Sequence, residues 1–238
     1  LYHSGGRLRI DNCAFLTNTL PKSSWSTYSR GGGIAVVNAD TQIRNTLFRE
    51  CHVYARHYDT FGGALYVLGG SGRVEACVFT NNSAQVEDNG SGWGGAVHVS
   101  GSMFLVSNSF FAANFVSGAV ASRRGAAIYM NGGSLWRSIL DGNGNAANAF
   151  GVVCAAGSAG VSNCLVVRSV AESGVATVSG SPRIENCTLA DLAGWGITNS
   201  AGATPTIRNC IAWGNGMGGI GVNGTVTYSC FQGALGGE

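Results

Sequence analysis

Ile10-Asp11-Asn12-Cys13-Ala14-Phe15-Leu16-Thr17-Asn18 decides the fold, because its pattern, apolar-x-Asn-Cys-x-apolar-x-x-Asn, returns along the whole chain. It reappears as Ile43-Arg44-Asn45-Thr46-Leu47-Phe48, as Val74-Glu75-Ala76-Cys77-Val78-Phe79 with Asn82, and as Val106-Ser107-Asn108-Ser109-Phe110-Phe111 with Asn114. A degenerate copy lies between Leu135 and Asn143. The pattern then recovers at Val161-Ser162-Asn163-Cys164, Ile184-Glu185-Asn186-Cys187 and Ile207-Arg208-Asn209-Cys210, and closes with Val226-Thr227-Tyr228-Ser229-Cys230-Phe231. Positions 12, 45, 76, 108, 137, 163, 186, 209 and 228 are equivalent, so the steps shorten from 33 residues to 19.

A second phrase sits in the same repeats: Gly32-Gly33-Ile34, Gly62-Gly63-Ala64-Leu65, Gly94-Gly95-Ala96-Val97 and Gly125-Ala126-Ala127-Ile128, then the weaker Gly174-Val175 and Gly196-Ile197. Short alternating runs bounded by Gly, Asn or Ser read as strands between turns, and nothing carries the 3.6-residue period that ankyrin or tetratricopeptide repeats need. The architecture left is an all-β, single-stranded right-handed parallel β-helix of about nine coils. Equivalent residues then form ladders spaced by about 4.8 Å on a rod about 40 Å long. The single domain spans residues 1–238, with longer coils over 1–136 and shorter ones over 137–238.

Bulk composition agrees. Of 238 residues, 38 are Gly and three are Pro, 45% are hydrophobic and 11% are charged, as suits strands that bury apolar side chains behind few surface charges. A formal charge of +2 without a basic cluster implies no nucleic-acid partner. No apolar run approaches the roughly 20 residues of a membrane span. Starting at Leu1 without Met or a signal-like segment, the chain is expected to be a processed product or part of something longer.

The ladders assign structural work to most repeated residues. Asn12, Asn45, Asn108, Asn163, Asn186 and Asn209 are expected to tolerate the turn backbone and to bond along the stack. Cys13, Cys77, Cys164, Cys187 and Cys210 share the next position, where free core thiols are expected, with one or two bridges between neighbours as the alternative. The column Asp11, Arg44, Glu75, Ser107, Trp136, Ser162, Glu185, Arg208, Thr227 alternates charge where charges adjoin, which places it in solvent.

These motifs resemble the bacterial right-handed parallel β-helix repeat proteins. The first half is especially similar to the passenger repeats of polymorphic outer membrane proteins, which combine Gly-Gly-Ala-apolar (Gly62 to Leu65, Gly94 to Val97) with Phe-x-x-Asn (Phe15–Asn18, Phe79–Asn82, Phe111–Asn114). Phe-x-x-Asn lapses at Phe48–Cys51, and the second half drops Gly-Gly-Ala. The resemblance implies a secreted or cell-surface scaffold or adhesin. Because pectate-lyase-like solenoids share the architecture, it also opens an alternative: a polysaccharide lyase or glycoside hydrolase.

For either class the candidate surface is the same. If Ile34, Leu65, Val97 and Ile128 point inward, alternation turns Ala35, Tyr66, His98 and Tyr129 outward in one column, expected to be exposed. The extra residues of the long coils, read as loops, bring Trp25, His57, Trp93 and Arg123 beside it. Aromatic rings with polar neighbours suit a glycan face, so a polysaccharide or cell-surface glycan is the expected partner. An enzyme would draw on Tyr66, His98 or Tyr129 with Arg123 or Arg124. No metal or other cofactor is expected, since no group of carboxylates converges and Glu87-Asp88 reads as a solvated loop. Bare coil ends are expected to be capped by sequence outside these residues or by another copy.

Overall fold

The computed structural model describes residues 1–23, 28–101, 103–118, 122–145, 149–200 and 202–233, and of residues 22 and 23 the backbone alone. Every strand pairing among them is parallel, and none of them is helical. Three sheets of nine strands run the length of the rod. In the second coil the chain passes through Ile34–Val37 in sheet A, Asp40–Arg44 in sheet B and Leu47–Arg49 in sheet C. It then re-enters sheet A one coil further on, at Leu65–Leu68.

The ladder registers coincide with those read from the repeats. Asp11 pairs with Arg44, Arg44 with Glu75, and Glu185 with Arg208. Arg44 and Glu75 form an ion pair at 3.2 Å, both partly exposed. Ile34, Leu65, Val97 and Ile128 point into the core, as alternation requires. Phe15, Phe48, Phe79 and Phe111 stack face to face between coils at 4.7–5.1 Å, matching the strand spacing.

The turn between sheets B and C explains the Asn of the first motif. Every equivalent position is left-handed, with φ near 50° at Asn12, Asn45, Ala76, Asn108, Arg137, Asn163, Asn186, Asn209 and Tyr228. Asn is the non-glycine residue that adopts this region most readily. These asparagines form side-chain bonds along the stack at two places, Asn45 to Asp11 and Asn209 to Asn186, both exposed. The continuous ladder belongs to the second Asn. Asn82, Asn114 and Asn143 are fully buried, and each carboxamide oxygen accepts the backbone N–H of the preceding coil's equivalent residue, Cys51, Asn82 and Asn114 in turn, at 2.9–3.1 Å.

All eight cysteines are free thiols. Cys164, Cys187 and Cys210 form the buried column expected on consecutive coils. Their position is one of hydrogen bonding as well as packing. Each thiol donates to the carbonyl two residues back, as the hydroxyls of Thr46, Ser109, Ser138 and Ser229 do in other coils.

The long coils depart from the loop reading. Their extra residues form two further parallel sheets of four strands, D and E. In the second coil these strands are His52–Ala55 and Thr60–Phe61, and in the third Ser83–Val86 and Gly92–Trp93. The two sheets pack through Val53, Ala84 and Val116 into a fin with its own small core. Gly62 and Gly63 return the chain from the fin to sheet A. Gly62 has φ of +60°, and a Cβ on Gly63 would lie 2.0 Å from the Gly95 carbonyl oxygen, so no side chain fits where the sheets meet.

Candidate functional site

Sheet A places Ala35, Tyr66, His98, Tyr129 and Cys154 in one outward column, with Tyr2 paired to Ala35 at its start. Sheet E places Arg30, Phe61, Trp93 and Arg124 in another. The fin turns the second column onto the first, and the two interdigitate in the corner between the sheets.

The rings follow one another closely. Arg30 stacks on Tyr66 at 5.3 Å, Phe61 meets Tyr66 at 5.9 Å and His98 at 4.9 Å, Trp93 meets His98 at 6.4 Å and Tyr129 at 4.7 Å, and Arg124 lies 5.0 Å over Trp93. Within sheet A, His98 is stacked between Tyr66 and Tyr129 at 5.3 and 5.0 Å.

The expectation that Tyr66, His98 and Tyr129 are exposed is therefore corrected: all three are buried, at 4–6% exposure. They point away from the core, as alternation required, but into the corner that the fin closes. His98 sits at its centre, with no hydrogen-bond partner for Nδ1. Burial, reinforced by the Arg30 charge, pushes its pKa down to about 3, so the imidazole is neutral and walled in by rings. Burial likewise raises both tyrosine hydroxyls, and the Cys154 thiol is pushed up to about 12. A lyase or hydrolase using His98 as base loses its base here, because a general base must reach the substrate proton.

The other candidates separate. Trp25 lies outside the described residues. Trp93 joins the corner, half-buried. His57 sits at the connection between sheets D and E, where it and Arg56 each pair with Asp88 at 3.2 Å. Arg123 belongs to the sheet E column that faces sheet D, and its guanidinium donates to the Gly118 carbonyl at 3.0 Å. The residues that complete the corner and were not singled out are Arg30 and Phe61. A local signal for them exists: a ring or an arginine stands directly before each glycine phrase, as Arg30-Gly31, Phe61-Gly62, Trp93-Gly94 and Arg124-Gly125.

The corner opens at its N-terminal end. There Ala35 occupies the ring position of the sheet A column, and a cleft of about 470 Å³ lies over it. Tyr2 and Tyr66 stand on either side of Ala35 along the column, and Tyr28, Arg30, Leu20 and Pro21 complete the walls. Tyr28 is 54% exposed, and Arg30 is held by its ring at 5.3 Å. No described carboxylate lines the cleft, and among the described residues no cluster of His, Cys, Asp or Glu is placed to hold a metal ion. No helix of the described residues is long and apolar enough to cross a membrane.

Comparison with known proteins gives one match. A family model described as right handed beta helix region covers residues 91–233. No curated protein and no solved structure matches the chain.

Proposed function

The chain belongs to the right-handed β-helix family, and from that premise we propose that it is a non-catalytic scaffold whose solenoid presents a carbohydrate-binding cleft, acting outside the cell or at its surface. The single observation that carries this reading is the gap at Ala35. Tyr2 and Tyr66 lie two strand spacings apart, about 9.6 Å, and the side chain between them is a methyl group. Tyr66 is almost covered there, by His98 and by the Arg30 guanidinium over its ring, so a ring entering the gap meets the Ala35 methyl group, the exposed ring of Tyr2 and the guanidinium. Further along, the same place is held by the rings of Tyr66, His98 and Tyr129 in succession.

A sugar ring suits the gap chemically. Its C–H face stacks on tyrosine, while its hydroxyls meet the Tyr28 hydroxyl and the Arg30 guanidinium at the rim. The volume of about 470 Å³ accommodates one or two such rings. The resemblance of the long coils to passenger repeats supports the extracellular or cell-surface setting.

A glycan array probed with the whole chain, followed by calorimetry on the strongest hit, tests the proposal. Ala35→Phe fills the gap and should abolish binding while leaving the thermal midpoint unchanged or higher. Tyr28→Ala should weaken binding about fivefold, as expected for about 1 kcal/mol of ring stacking. An array without hits, or an Ala35→Phe variant that binds as the parent does, refutes the assignment.

A further inference from the structure

The solvent face of sheet C differs from that of sheet B. Sheet B presents charged ladders to water, including Arg7 beside Asp40 and Asp11 beside Arg44. Sheet C presents an apolar ridge: Ala14, Leu47, Val78, Phe110, Ile139, Leu165, Thr188, Ile211 and Cys230, one from each coil, in a single register column. Val78, Ile139 and Ile211 are among the exposed large hydrophobic residues of the chain, and the others are exposed or half-buried.

A second outward column runs beside the ridge, from Leu16 through Arg49, Thr80, Ala112, Asp141, Val167 and Ala190 to Trp213. Its two charges are both neutralised locally, Arg49 by Glu50 at 3.8 Å and Asp141 by Arg168. On the other side of the ridge, between it and the left-handed turns, lie two shallow grooves that meet at Arg137 and Ile139. Together they flank the ridge from Val78 to Thr188.

We propose that this face is the contact surface for a second copy of the chain, two rods lying side by side. Two features select that occupant. First, the face is self-complementary: from Val78 to Thr188 ridge and groove run parallel at the same coils, so a two-fold axis along the rod seats each ridge in the partner's groove over that stretch. Second, the area suffices. Nine coils give a length of about 40 Å, and the strand with its flanking turn gives a width of about 16 Å. Each copy then contributes roughly 600 Å², and the total of about 1,200 Å² reaches the range of specific interfaces. An apolar stripe of this length, with no unpaired charge in its two columns, also lies at the upper end of what a monomer ordinarily leaves in water.

Sedimentation velocity on the full chain, from low to high micromolar concentration, tests the inference. The parent is expected to sediment as a dimer of the 24.4 kDa chain. Phe110→Glu combined with Ile139→Glu is expected to halve that mass with an unchanged far-ultraviolet spectrum, because both side chains lie on the outside of the sheet. Leu165→Lys, a milder change on the same ridge, should weaken association at least tenfold and serves if the double variant loses its β signal. A parent that stays monomeric throughout overturns the proposal. So does association that survives both variants, as coil-end stacking would. Monomers that float with phosphatidylcholine vesicles would also overturn it, by assigning the stripe to lipid.

Discussion

Replacing Asn114 with alanine should be the most damaging single change on the Asn ladders, and the reason lies in its hydrogen-bond ledger. Its side-chain oxygen accepts from the Asn82 backbone N–H at 3.0 Å and from the Asn82 side-chain amide at 2.9 Å. Its own amide donates to the Phe79 carbonyl at 2.8 Å and to the Asn143 side-chain oxygen at 3.0 Å. After truncation, Asn143 still accepts the Asn114 backbone N–H, at 3.1 Å, and the Asn82 amide still reaches the Phe48 carbonyl. The Asn82 backbone N–H and one of its side-chain protons lose their acceptor inside a fully buried site. Each of the two orphaned donors costs about 1–3 kcal/mol and the small void about 1 more, so the loss is about 3–7 kcal/mol. Asn108→Ala is the matched control. Asn108 is exposed and its side chain has no hydrogen bond, so it loses its ease in the left-handed region alone, about 1 kcal/mol. Urea unfolding gives the global cost, and amide exchange at Asn82 gives the local one, which matters because a solenoid can open coil by coil. If Asn114→Ala costs no more than Asn108→Ala, or Asn82 protection is unchanged, the buried ladder does not hold the coils as argued.

The pH dependence should carry the signature of His98. Its folded pKa lies near 3 against 6.5 for a free imidazole, so below pH 6.5 the unfolded chain binds a proton that the folded chain refuses. Stability is therefore complete above pH 6.5 and falls as pH drops toward 3, by about 1.4 kcal/mol per unit from this group. His98→Phe should flatten that slope; if the imidazole resonance that this substitution removes titrates near pH 6.5, the buried, neutral assignment is contradicted. Ala76→Asn restores the residue preferred at φ 53° and should raise stability by about 0.5–1 kcal/mol, read as a higher thermal midpoint. Finally, maleimide should label Cys13 and Cys230 rapidly in the native protein and leave the six buried thiols intact, Cys154 among them. Fast native labelling of Cys154 would show that the corner opens.

How far the sequence reaches can be followed residue by residue. The pairing of Asp11 with Arg44 and of Arg44 with Glu75, the inward turn of Leu65 and Val97, and the nine-coil count were all readable, because in a parallel solenoid the sequence period is also the spatial period. A residue's ladder neighbours are then the equivalent residues of the adjacent repeats. The left-handed turns were equally legible from Asn, since that backbone preference is local. Which Asn is buried was harder: Asn12 and Asn82 both recur, and the difference lies in what the chain around them encloses.

What only the tertiary structure decided is the state of the aromatic column. Alternation says that Tyr66, His98 and Tyr129 leave the core, but nothing about what stands opposite them. That depends on Thr60–Phe61 and Gly92–Trp93, strands of two residues, too short to show any period. They become strands because each coil's copy pairs with the next, and the fin they build folds over sheet A. Burial is a property of two surfaces brought together by long-range packing, so the rings that read as an exposed face became the filling of a corner. The opening is left beside Ala35, where one ring is missing.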